Sequence, residues 1–305
     1  MSSRRAASLL AFVATIAMGT AVFAQDLEPR AYVNTPVGMN FLIAGYAFAE
    51  GGVEADPSIP LTDAHIRTNG VVLAYARALD IAGMSGKVDI VVPYAWVSGH
   101  AEFQGQSKER SISGFGDPRF RVSVNFYGAP ALTMQQMANY EQDLIIGASL
   151  QVSAPLGQYD GTKLLNVGTN RWSVRPELGV SKAVGPLTLE FSTGVTFYTE
   201  NDNFFGGKTL DQDPIYFLQG HVVYRLRSGV WVALDGIYYA GGRTTTDGVR
   251  GNDLQQNWRT GVTVAVPVNR HNSIKLNAST GVSTRTGSNF DLVGVFWQYR
   301  WGGGL

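Results

Sequence analysis

The sequence predicts an all-β fold, a transmembrane antiparallel up-and-down β-barrel of about twelve strands. Three observations carry this: segments of about ten residues in which apolar and polar residues alternate, turn residues between them, and a secretory-type leader ahead of them. From Asn170 to Lys182 one face carries Trp172, Val174, Pro176, Leu178 and Val180, and the other Arg171, Ser173, Arg175, Glu177, Gly179 and Ser181. Side chains alternate across a strand, so this segment sets an apolar row against a charged one. A soluble sandwich would turn the apolar face inward. Charges that recur on the opposite face, strand after strand, fit a barrel with lipid outside and water within.

The leader comes first. Met1 to Ala24 has Arg4 and Arg5, an apolar run from Leu9 to Val22, and a small residue before Gln25. This is the pattern of a removable signal peptide over 1–24, leaving 25–305 as one outer-membrane barrel domain. It is the sole long apolar run, so strands are expected to do the crossing. Cysteine is absent, which excludes disulfide stapling, a lipoprotein anchor and thiolate metal sites. The chain has 24 Lys and Arg against 24 Asp and Glu. Without Arg4 and Arg5 roughly two more acids than bases remain, which gives no case for nucleic-acid binding.

The strands are read at 38–49, 66–79, 86–97, 117–127, 142–154, 170–183, 186–198, 214–226, 230–240, 255–267, 273–285 and 290–301. An even number lets the last strand close antiparallel on the first. Outer-membrane barrels have short periplasmic turns and long external loops. Asp80 to Ser85, Val184-Gly185, Arg227-Ser228-Gly229 and Asn269-Arg270-His271 are the short connections; those around 50–65, 98–116, 155–169, 199–213 and 241–254 are long. The connection 128–141 breaks the alternation. There Thr133 and Gln136 form a capping box, with Leu132 and Met137 at staple positions, which predicts a short periplasmic helix over about 134–141. Tyr94, Trp96, Phe126, Trp172, Phe197, Tyr198, Trp258, Trp297 and Trp301 stand near strand ends, where interfacial girdles form.

Turning the polar face inward sends Arg67, Arg77, Lys87, Arg119, Arg121, Arg171, Arg175, Arg225, Arg259, Lys275, Arg285 and Arg300 to the lumen. Fewer acids join them: Asp89, Glu177, Glu190 and Asp235. A net basic interior biases a pore toward anions, and guanidinium planes stack on aromatic solutes. Arg-carboxylate ladders also simply fill a barrel of this size, and the sequence leaves both readings open. One pair is set by turn geometry: a three-residue loop with Gly229 in the left-handed conformation places His221 opposite Asp235. This is read as a structural pair before a pH-sensitive latch.

The histidines are His65 and His100, placed in external loops, His271 in a turn, and His221 with no obvious nucleophile beside it. Phosphate-loop, HExxH and nucleotide-fold signatures are missing, so the chain reads as a non-enzyme without cofactor. Asp202, Asp211 and Asp213 lack EF-hand spacing and read as a solvated loop. The expected partners are outer-membrane lipid and lipopolysaccharide, the outer-membrane assembly machinery and a small organic solute, with the barrel a monomer. A closed structural or surface-interaction barrel without transport is the alternative, and a lipid-modifying enzyme a more distant one.

Several stretches carry a family resemblance. They are Thr35-Pro-Val-Gly-Met-Asn-Phe with Ala44-Gly-Tyr, Gly114-Phe-Gly-Asp-Pro-Arg, Gly128-Ala-Pro-Ala-Leu and Ala154-Pro-Leu-Gly-Gln-Tyr-Asp. Further along come Asn166-Val-Gly-Thr-Asn-Arg-Trp, Phe204-Phe-Gly-Gly-Lys-Thr, Gly241-Gly-Arg-Thr-Thr and Gly281-Val-Ser-Thr-Arg-Thr-Gly. Together they resemble the bacterial outer-membrane transporter family named for a meta-pathway of phenol degradation, over nearly all of the chain after the leader. The resemblance implies passive uptake of phenol-like aromatics and supplies no defined set of binding residues. The C-terminus departs from the usual barrel signal, ending Trp301-Gly-Gly-Gly-Leu305 rather than on an aromatic residue.

Overall fold

The computed structural model describes residues 27–54, 61–103 and 106–305; the leader at 1–24 lies outside them. The strands are β1 (Met39–Glu54), β2 (Leu61–Ile81), β3 (Met84–Phe103), β4 (Gln106–Phe115), β5 (Arg119–Tyr127) and β6 (Leu144–Ser153). They continue as β7 (Ser173–Val184), β8 (Leu187–Tyr198), β9 (Asn201–Phe204), β10 (Lys208–Gln212), β11 (Ile215–Arg225) and β12 (Trp231–Gly241). The last are β13 (Thr244–Thr246), β14 (Val249–Arg250), β15 (Gln255–Pro267), β16 (Asn272–Ser283) and β17 (Gly287–Gly302). One antiparallel sheet closes on itself, β1 pairing with both β17 and β2. β4 and β5 share β3 as partner, one above the other, and make a single stave. The result is a closed barrel of twelve staves. Closure matters because an open edge in lipid would leave backbone groups unpaired.

The wall shows which solvent lies on each side. Leu73, Phe120, Leu150, Leu178, Phe191, Leu218, Leu234 and Val293 are exposed on the outer face. Inward neighbours such as Ser123, Ser181, Gln219, His221, Asp235, Asn257 and Thr263 are buried. Trp96, Phe115, Trp172, Phe197 and Trp258 are exposed outside at the end with the long connections, and Phe126, Tyr127 and Tyr224 at the other. Tyr198, expected in that girdle, turns inward under the Arg171 guanidinium, 4.4 Å from its ring centre.

The short turns lie at one end, periplasmic by the rule for such barrels. Ala82 and Gly83 both adopt positive φ, 53° and 80°, the geometry a two-residue hairpin requires. The Gly83 N–H donates to Asp80 Oδ1 at 2.7 Å and secures it. The turn at 227–229 closes with Gly229 at φ 85° and sets His221 opposite Asp235. The 128–141 connection holds helix α1, Met134–Met137, one turn rather than two. Its capping box is formed, with Thr133 Oγ1 accepting from Gln136 N and Gln136 Oε1 from Thr133 N.

At the opposite end the expected loops differ. Around 50–54, 61–65, 98–103 and 106–115 the strands continue into water, with Gly52 opposite His65 and His100 opposite Glu109. The outward residues there are Glu50, Arg67, Ser98 and His100, so the apolar alternation stops at the lipid boundary while the hydrogen-bond ladder does not. His65 and His100 are therefore strand residues, their rings stacked at 5.4 Å. The 199–213 and 241–254 connections fold as hairpins that pair through β10 and β13 into a four-stranded sheet. The 155–169 segment folds inward, burying Leu165 and Val167 against Ala95 and Val97.

Candidate functional site

The segment 27–38 forms no strand and lies inside the barrel. We call it the tail. At the short-turn end Val37 N–H donates to Leu132 O at 2.8 Å and Asn34 Nδ2 to Pro130 O at 3.1 Å. Deeper in, Tyr32 Oη donates to Glu177 Oε1 at 2.8 Å, and Asn125 Nδ2 donates to Tyr32 O at 3.0 Å. Lys87 Nζ donates to Ala31 O at 2.8 Å, and Arg30 N–H to Glu190 Oε2 at 2.6 Å. Leu27 packs on Phe217, Ile237 and Tyr239. The Tyr32 ring lies in a slot cut by two glycines that face each other across β6 and β7, Gly147 and Gly179. A Cβ added to them would come within 2.4 and 2.0 Å of that ring.

Beside the tail remains a cavity of about 160 Å³. Its apolar side is Ile43, Ala47, Val72, Ala74, Val91, Leu292 and Phe296, from β1, β2, β3 and β17; its polar side runs over β5, β6, β7, β8 and β11, with Asp89 on β3 and Lys275 on β16 at its margins. Of the residues named from sequence, Arg119, Arg121, Arg175, Glu177, Glu190, His221 and Lys275 line this one space. Arg171, Arg225, Asp235 and Arg259 do not. Arg171 sits at the long-loop end, hydrogen-bonded to Gln212 and over Tyr198. Arg225 is exposed at the short-turn end. Asp235 lies behind His221, and Arg259 is folded against Phe290, 3.7 Å above its ring, donating to Phe290 O and Ser279 Oγ.

Most of the basic groups in the cavity wall are paired. Arg121 donates through Nε to Asp89 Oδ2 at 2.9 Å, and through Nη1 and Nη2 to both oxygens of Glu28 at 2.6 and 2.9 Å. Arg175 donates to Glu177 at 3.2 Å and lies 4.0 Å over the Phe217 ring. Lys275 stands 5.2 Å over Phe296. Planar forks of this kind bind carboxylates in two parallel bonds, stronger than neutral hydrogen bonds. Glu28 changes the charge reckoning: the cavity is lined by Glu28, Asp89, Glu177 and Glu190 against Arg119, Arg121, Arg175 and Lys275. The expected basic excess is absent there because most of the bases expected inside lie elsewhere and the tail delivers a further carboxylate.

His221 Nδ1 lies 2.6 Å from Asp235 Oδ1, and its Nε2 2.6 Å from Gln219 Nε2. A proton on Nδ1 satisfies the carboxylate and leaves Nε2 to accept from the amide. Thr263 Oγ1 donates to the second Asp235 oxygen at 2.8 Å. Both ring nitrogens are taken. Arg67 and Arg77, expected inside, face outward: Val72, Ala74 and Ala78 fix the even-numbered residues of β2 as inward, and Arg67 pairs with Glu50 at 2.7 Å. Arg285 lies beyond the end of β16 and donates to the exposed Gln256. In the 155–169 segment the Asp160 carboxyl is held below its usual range by the side-chain and backbone donors of Thr162, and burial raises the Tyr159 hydroxyl. Among the described residues no group of three His, Asp or Glu is placed to hold a metal ion.

The fold defines a class, the outer-membrane-type antiparallel β-barrel, here with the segment 27–38 lying inside it. Within it the chain belongs to the family described as "Putative MetA-pathway of phenol degradation", which matches residues 49–299. The fold is similar to that of an outer membrane channel from Pseudomonas putida F1, with a TM-score of 0.78 and 18% identity over 90% of this chain and 100% of that one. It is also similar to the transport unit of the autotransporter AIDA-I from Escherichia coli, with a TM-score of 0.54 and 11% identity over 92% and 94% of the two chains. No curated protein matches the sequence.

Proposed function

We propose that this protein is a passive channel of the outer membrane for small organic solutes, held closed by its own N-terminal tail. The observation that carries the reading is the two-sided cavity. An apolar wall faces a charged one across about 160 Å³, close to the roughly 150 Å³ of a cavity that takes one benzene ring. That arrangement suits a solute with a ring on one side and a polar group on the other, a phenol-like aromatic or an organic anion. The tail is held by separate hydrogen bonds, the Glu28–Arg121 ion pair and the apolar contacts of Leu27 and Tyr32 rather than by a strand ladder, so it leaves without breaking the barrel.

Single-channel recording on the refolded chain 25–305 and on a form lacking 25–33 tests this. Steady conductance in the shortened form, with Arg175→Glu altering its ion selectivity, is the expected result. A folded, silent barrel in both forms would favour the second reading, a closed scaffold, which the observed packing of tail and ion pairs also supports.

A further inference from the structure

Leu27 and Glu28 present an apolar group and a carboxylate side by side on the tail, and each occupies a prepared place. The Arg121 guanidinium is fixed through Nε by Asp89, so its Nη1–Nη2 edge is the one left for an incoming group. Glu28 takes that edge with both oxygens, at 2.6 and 2.9 Å. Lys87 and Lys275 add positive field at the same carboxylate. Leu27 fills a pocket of Phe217, Ile237 and Tyr239. Gly261 keeps that pocket open, since a Cβ there would come within 2.7 Å of Leu27 Cδ1. The Glu28 contact is not sealed: 43% of its side chain is accessible, and it lines the cavity.

We propose that Glu28 is a tethered surrogate for a diffusible ligand, and that Arg121, with Lys87 and Lys275, is a binding site for a small organic monocarboxylate bearing a ring or branched apolar group. Such a ligand and Glu28 compete for one guanidinium edge, so its binding displaces the tail. The inference rests on the channel reading for the opening that displacement causes; the binding step stands apart from it. A short tether holds its carboxylate at an effective concentration on the order of millimolar. The intact protein therefore binds a free carboxylate more weakly than the bare site would, and a neutral isostere at position 28 lifts that competition.

The test is titration calorimetry of benzoate into the refolded chain 25–305 in detergent, with benzyl alcohol as the uncharged control. Glu28→Gln is expected to bind benzoate about tenfold more tightly than the parent, the gain set by the lost millimolar competitor. Adding Arg121→Gln removes that gain, and adding Arg121→Lys, which keeps charge without the fork, removes most of it. Benzyl alcohol shows no gain. Far-UV circular dichroism confirms the barrel in each variant. Equal benzoate affinity in parent and Glu28→Gln, or no binding to folded Glu28→Gln, overturns the proposal. An equal gain for benzyl alcohol also overturns it, because Glu28 would then fill space rather than mimic a carboxylate. A barrel that binds benzoate in the expected pattern yet conducts nothing keeps this site and sinks the channel reading.

Discussion

The two walls of the lumen are built from the same strand geometry and solve different problems. The wall of β1, β2 and β17 presents Ile43, Ala47, Val72, Ala74 and Leu292, side chains that need no partner. The wall of β5 to β11 presents Arg121, Arg175, Glu177, Glu190 and His221, and each of these is satisfied by a named contact. The tail touches the second wall almost throughout. An isolated charge in such an interior is expensive and a paired one tolerable, so the polar wall recruits the tail while the apolar wall faces the open cavity. The asymmetry accounts for a tail docked on one wall and an open cavity along the other.

The largest expected break in this comparison is Asp235→Ala. Asp235 is 1% exposed at its side chain and His221 4%. Removing the carboxylate strands the imidazole and the Thr263 hydroxyl, a loss of about 3 kcal/mol. Urea titration of the refolded barrel should show it. Val72→Thr on the opposite wall breaks no hydrogen bond or ion pair and turns its hydroxyl to the open cavity, so it should cost about 1 kcal/mol or less. Equal losses from both would mean that the polar wall is not specially dependent on pairing.

Next in size is Gly179→Ala, which leaves the ladder intact and attacks the tail alone. Its Cβ would fall 2.0 Å from Tyr32 Cε2, so the ring must leave its seat on Gly147 and Gly179. Overpacking of this kind costs about 1–3 kcal/mol. Here the tail relieves it by leaving, so protease cleavage within 27–33 should speed up by roughly tenfold or more, at 1.4 kcal/mol per decade. Tyr32→Phe is the milder form, losing one hydrogen bond to a carboxylate that keeps Arg175. About 1.5 kcal/mol of docking is expected to go, with cleavage faster than the parent and no faster than in Gly179→Ala.

These residues also mark what could be read from the chain alone. Strands were legible because lipid and water impose opposite preferences on alternate residues, and β15 has the bounds expected, 255–267. The His221–Asp235 register was legible because a three-residue turn fixes it. The upper reaches of β1 to β4 were not, since above the membrane the outward face turns polar and the lipid-facing half of the alternation is lost. The tail was least legible: a segment docked by single side chains has no periodicity, and nothing local in Leu27-Glu28 names Arg121. Its one trace is indirect. The strands alone give the lumen more bases than acids, and buried bases require a counter-charge, which the chain before β1 supplies.

The smallest expected effect concerns where the tail enters. Thr133→Ala removes the cap of α1, worth about 1 kcal/mol or less in a single exposed turn. The 128–141 segment has other anchors: Ser85 N–H donates to Ala129 O at 3.0 Å and Ala131 N–H to Gly83 O at 2.9 Å. The carbonyls that meet the tail, Pro130 O and Leu132 O, precede the helix. Faster amide exchange confined to 133–137, with unchanged cleavage of the tail, is therefore expected. Tail release in Thr133→Ala would mean that the entrance, rather than the polar wall, holds the tail, and would reverse the ranking of the other variants.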